Sequence, residues 1–125
     1  YEPSPPSPVI SIGVVEGITP EEARRVCPKT DAQFTAHPRG VLVSSGAAGC
    51  TAFDVARRRK LRVFTIFFNS EDRQFDCIVT EPDGQEACFA VGEPSPNYAP
   101  LDSIFGETTV DGILRVLEIP RELLP

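Results

Sequence analysis

The chain of 125 residues has no methionine, no tryptophan and one histidine, His37. Each scarcity removes chemistry. A triad hydrolase sets a histidine beside its nucleophile, but His37 stands in Ala36-His37-Pro38-Arg39 and no nucleophile-elbow pattern occurs. Sugar-cleaving enzymes pair carboxylates and lean on aromatic platforms. Acidic residues are plentiful here, but there is no Trp and there are only two Tyr. No CxxC pair and no Cys/His cluster exists, so the usual zinc spacings are missing. Gly46-Ala47-Ala48-Gly49 lacks the lysine and the spacing of a phosphate loop and reads as a tight turn. No apolar run approaches the ~18 residues of a transmembrane helix, so no membrane span is expected. No catalytic signature emerges, and no cofactor or metal is implied.

What is present suits one folded domain. Hydrophobic residues make up 41% and charged residues 24%, a globular balance. Residues 1–8, with four prolines, read as an extended arm, and residues 9–125 as a single domain. Cys27, Cys50, Cys77 and Cys88 form an even set in a short chain, which suits a disulfide framework and an extracellular setting. A start at Tyr1 with no methionine anywhere leads us to expect a processed, secreted product.

Local patterns predict the elements. Val9–Val15 is β-branched and reads as a strand. Thr19-Pro20-Glu21-Glu22 combines a capping hydroxyl, a proline at the first helical position and a glutamate at the third, which predicts a helix over about 19–27. Residues 28–39 read mostly as loop, and Gly40–Ser44 as a strand. Residues 50–60 and 110–119 fit helix or strand. The runs 61–68, 74–80 and 86–91 predict an antiparallel meander, with Glu81-Pro82-Asp83-Gly84 turning its second hairpin. If that hairpin turns at Pro82-Asp83, Cys77 faces Cys88, which leaves Cys27 with Cys50. Directly opposed cysteines are often strained, so Cys27–Cys88 with Cys50–Cys77 competes.

Charge is unevenly spread. Residues 1–70 carry a balance of +3 and residues 71–125 a balance of −9, giving the total of −6. The basic excess gathers in Arg57, Arg58, Arg59, Lys60 and Arg62. Such a run can face anions, although it reads most simply as a solvated face offsetting the acidic half, and nucleic acid is not the expected partner. Glu81, Asp83 and Glu86 crowd one hairpin tip, with Asp72 and Asp76 nearby, but without calcium-loop spacing. The long punctuated stretch 92–103 reads as a functional loop, with Pro96, Asn97 and Tyr98 at its centre.

The Pro-rich arm, four cysteines, single domain and missing catalytic signature together resemble the small secreted cysteine-containing proteins of filamentous fungi, especially the effectors released into plant tissue. Within the chain, Val63-Phe64-Thr65-Ile66-Phe67-Phe68-Asn69, Phe75 through Gly84 and Cys88-Phe89 are similar to the strand–turn–strand run of guanyl-specific fungal ribonucleases and their inactive effector relatives. Glu81 stands where those enzymes carry a catalytic histidine.

The expected fold is α+β: an antiparallel sheet of four to five strands, with one or two short helices packed on one face, braced by disulfides. The expected function is that of a secreted, monomeric, non-enzymatic binding protein. It would act on a host or extracellular protein through Arg57–Arg62 and the Pro96-Asn97-Tyr98 loop. The alternatives are an extracellular protease inhibitor presenting Ser95–Pro100, and an inactive ribonuclease-like fold binding RNA.

Overall fold

Thr19 behaves as its neighbours dictate. Its hydroxyl accepts the Glu22 amide at 3.2 Å and donates to the Glu22 carboxylate at 3.3 Å, opening helix α1 (Pro20–Val26). That helix belongs to a computed structural model, which describes residues 9–71, 73–92 and 98–124. The predicted Pro-rich arm lies outside the described residues.

The strands are β1 (Val9–Glu16), β2 (Gln33–His37), β3 (Gly40–Ser44), β4 (Val63–Asn69), β5 (Phe75–Thr80), β6 (Glu86–Val91) and β7 (Ala99–Pro100). They form one sheet in the order β2-β3-β1-β4-β5-β6-β7, antiparallel except for the β6–β7 pair. The fold is thus mixed α/β with seven strands, where four or five were expected. β2 escapes a periodicity reading because only Phe34 in it is buried, as suits an edge strand.

Both ambiguous segments are helical. In α2 (Ala48–Arg59) the buried stripe is Ala48, Ala52, Val55 and Ala56, at helical spacing. The stripe is made mostly of alanine, whereas the more conspicuous Cys50 and Phe53 lie outside it and are exposed. Small residues let the helix sit close: a Cβ on Gly13 of β1 would overlap the Ala52 methyl. Lys60 ends the helix in the left-handed conformation at φ 56°, and the Leu61 amide reaches back to the Ala56 carbonyl at 2.9 Å. The α3 helix (Val110–Val116) opens where the Thr109 hydroxyl accepts the Gly112 amide at 3.0 Å.

The helices lie on both faces of the sheet, not on one. The α1 and α2 helices cover Val15, Phe34, Val41, Val43 and Val63. On the other face α3 and the chain after it, including the 3₁₀ turn Arg121–Leu123, bury Ile113, Leu114, Leu117 and Ile119 against Ile12, Phe64, Ile66, Phe75 and Phe89. The central strands β1 and β4 are apolar on both sides, as a covered strand must be. No helix among the described residues is long and apolar enough to cross a membrane.

Candidate functional site

The β5–β6 hairpin decides where its side chains point. The Glu81 amide donates to the Gln85 carbonyl at 2.8 Å and the Gly84 amide to the Glu81 carbonyl at 2.9 Å, so the loop holds five residues, 81–85. Thr80 then faces Glu86, Cys77 faces Phe89, and Cys88 faces Ile78. A register one step from the expected one moves every side chain to the other face. Cys77 lies in the core beneath α3, whereas Cys88 faces the α2 side. A Cys77–Cys88 bridge is therefore ruled out, and Cys50–Cys77 is separated by the sheet in the same way.

All four cysteines are free thiols, so disulfides do not brace this fold. Cys27 donates to the Asp54 carboxylate at 3.4 Å, and burial, then Asp54, pushes its pKa up. The Cys88 thiol donates to the Phe89 carbonyl at 3.7 Å, and burial followed by Asp76 raises it. Burial raises Cys77 far above the ordinary thiol range. Cys50 alone of the four is exposed.

The helices do not cover their face of the sheet completely. The α2 helix packs over β1, β3 and β4, leaving the outward side chains of β5 and β6 beside it. A cleft of about 230 Å³ opens there. Gly49, Cys50 and Phe53 of α2 form one wall, and Tyr98, just before β7, forms the other. Thr65 and Phe67 of β4, Ile78 and Thr80 of β5 and Glu86 of β6 line the sheet side. Beneath Phe53 the cleft adjoins a second hollow of about 130 Å³, reaching Leu61 and Pro82 and sharing Thr80 and Glu86.

Two polar groups in the cleft have no protein partner among the described residues. Thr80 is only 8% exposed, and its Oγ1 has no hydrogen-bond partner there. The Glu86 carboxylate, opposite Thr80 on the ladder, has no cationic partner among the described residues. Burial, then Glu86, Cys88 and Asp76, raises the Tyr98 pKa, so its phenol stays protonated at neutral pH.

No family model, no curated protein and no solved structure matches the chain. The cleft has to be read from its own chemistry.

Of the described residues predicted to form an interaction surface, only Tyr98 lines this cleft. Pro96 and Asn97 lie outside the described residues, as does Asp72. The basic run does not form one free patch. Arg57 and Arg58 pair with Asp54 at 3.2 and 3.0 Å, and Arg62 pairs with Glu81 at 3.0 Å and Glu16 at 3.7 Å. Arg59 and Lys60 make no ion pair among the described residues. At the hairpin tip the Asp83 carboxylate accepts the Gln85 amide at 3.0 Å.

His37 has a structural role. Its Nδ1 accepts the Arg39 amide at 3.1 Å, which puts the ring proton on Nε2, and Nε2 donates to the Leu117 carbonyl at 2.8 Å. It thereby ties the end of α3 to the edge of the sheet, on the face away from the cleft. Sequence reasoning overlooked Phe53, Ile78 and Thr80, and read Glu86 only as part of an acidic hairpin tip. The signal lay in the polar alternation of Asp76, Thr80 and Glu86, which is legible only once the register is known.

Proposed function

We propose that this chain is a non-enzymatic binding protein and that its ligand site is the cleft between α2 and strands β4–β6. One observation carries the reading: the Thr80 hydroxyl is buried without a partner in a concave, aromatic-walled site. An unsatisfied buried hydroxyl costs about 1–3 kcal/mol, and a ligand that hydrogen-bonds to it recovers that cost. Small-molecule sites combine apolar walls with a few placed polar groups, as this cleft does. The only imidazole in the chain is held by backbone atoms on the far face, which supports binding over acid–base catalysis.

An extracellular, effector-type setting with a host protein as target belongs to the proposal through the class-level resemblance alone. The inhibitor reading rests on residues 95–100, of which 95–97 lie outside the described residues. The RNA reading loses the free basic patch that it needs.

The test is a fragment screen by heteronuclear NMR on the whole chain. Shifts that cluster on Thr65, Ile78, Thr80 and Glu86 and saturate with concentration are expected. Saturable binding elsewhere with the cleft silent, or no binding at all, would overturn the assignment.

A further inference from the structure

We propose that the cleft selects an organic cation: a small primary amine carried on an aromatic or compact apolar body. The inference rests on the cleft being a ligand site and goes on to name the ligand chemistry.

Size comes first. An apolar cavity of about 150 Å³ is enough to hold benzene. The main cleft, at about 230 Å³, has room for a ring with a short side chain. Its walls supply the matching apolar surface, with the Phe53, Phe67 and Tyr98 rings disposed around the space. Aromatic faces attract cations, and more strongly where water is excluded.

The charge has one sign. Among the described residues, Glu86 is the only charged side chain lining the main cleft. The cation that shares the adjoining hollow, Arg57, is held by Asp54 at 3.2 Å. Asp76, on the same face of β5, accepts an amide hydrogen from Gln74 at 3.2 Å and adds a second negative field, with no ion-pair partner among the described residues. An ammonium group between Glu86 and Thr80 answers both open valences. One N–H donates to the carboxylate and a second donates to Thr80 Oγ1. These residues face each other across an antiparallel ladder, where paired Cβ atoms stand about 5 Å apart, a span one ammonium can bridge. A carboxylate ligand would meet Glu86 as a like charge. A neutral alcohol would satisfy Thr80 and leave Glu86 unpaired.

Three soluble probes of one shape distinguish the possibilities: phenethylamine, 2-phenylethanol and 3-phenylpropionate. Binding is read by NMR shifts and by protection of Cys50, the one exposed thiol and part of the cleft wall, against iodoacetamide. The amine is expected to bind at least tenfold more tightly than the alcohol, with the propionate weakest, and to slow Cys50 alkylation in proportion to occupancy. Glu86→Gln should bring amine and alcohol within about threefold of each other. Glu118→Gln, an equal charge change beyond α3 on the other face, should leave the preference intact. Alcohol or propionate binding as tightly as the amine would overturn the cation assignment while the cleft stands as a ligand site. An amine preference that survives Glu86→Gln would also overturn it. Binding by none of the three, with Cys50 alkylated at one rate throughout, would remove both the ligand class and the cleft reading.

Discussion

Cys77 and Cys88 stand one register step out of line on neighbouring strands, so the thickness of the sheet lies between their sulfurs. Neither can reach the other without re-pairing the hairpin. The native protein should therefore contain four titratable thiols. Intact mass should be the same before and after reduction, and alkylation in denaturant should add four groups. Under native conditions Cys50 should react first, because the others are buried or half-buried. A mass gain of two hydrogens or more on reduction would contradict this arrangement.

Thr80→Val should stabilise the free protein. The substitution preserves shape and removes a buried hydroxyl that has no partner. A gain of about 1 kcal/mol in urea unfolding is expected. The same variant should bind amines less well, so that stability and affinity move in opposite directions. A loss of stability would mean that Oγ1 already has a partner.

Alkaline pH should destabilise the fold. Cys27, Cys77, Cys88 and Tyr98 all have pKa values raised by burial. The unfolded chain releases these protons first, so the folded state holds more of them and stability falls as pH rises. The decline should begin near the ordinary thiol value of about 8.5 and continue through the range of free tyrosine. Urea midpoints between pH 7 and pH 10.5 would show it. Cys77→Ala, less stable outright because it leaves a cavity, should show a shallower decline.

His37→Ala should loosen the C-terminal cover. It removes the 2.8 Å bond to the Leu117 carbonyl and the acceptor for the Arg39 amide. A cost of about 1–2 kcal/mol is expected from two partly buried hydrogen bonds. Hydrogen exchange should quicken first at Leu117 to Ile119 and leave the cleft unaffected. Faster exchange at Thr80 or Glu86 would refute a local role.

Where the chain carries its own punctuation, its structure is legible in advance. Thr19-Pro20 starts α1, and the doubly apolar run at Val63–Phe68 forms a central strand. The meander 75–80 and 86–91 appears within a residue of its expected limits. Failures occur where the deciding contact is distant in sequence. Ala48, Ala52 and Ala56 form a core face only because Gly13 lets them close on β1. β2 exists because β3 pairs with it. The cleft depends on a loop of five residues rather than four, which composition does not reveal.

The alternation along β5 has an evolutionary meaning. Phe75 and Cys77 are sealed beneath α3, whereas Ile78 and Thr80 belong to the cleft. On the proposed reading of the cleft, stability and recognition are written on interleaved letters of one short word. Cleft-facing letters could then be rewritten for a new guest while the intervening ones keep the protein folded, and specificity could drift without a matching loss of fold.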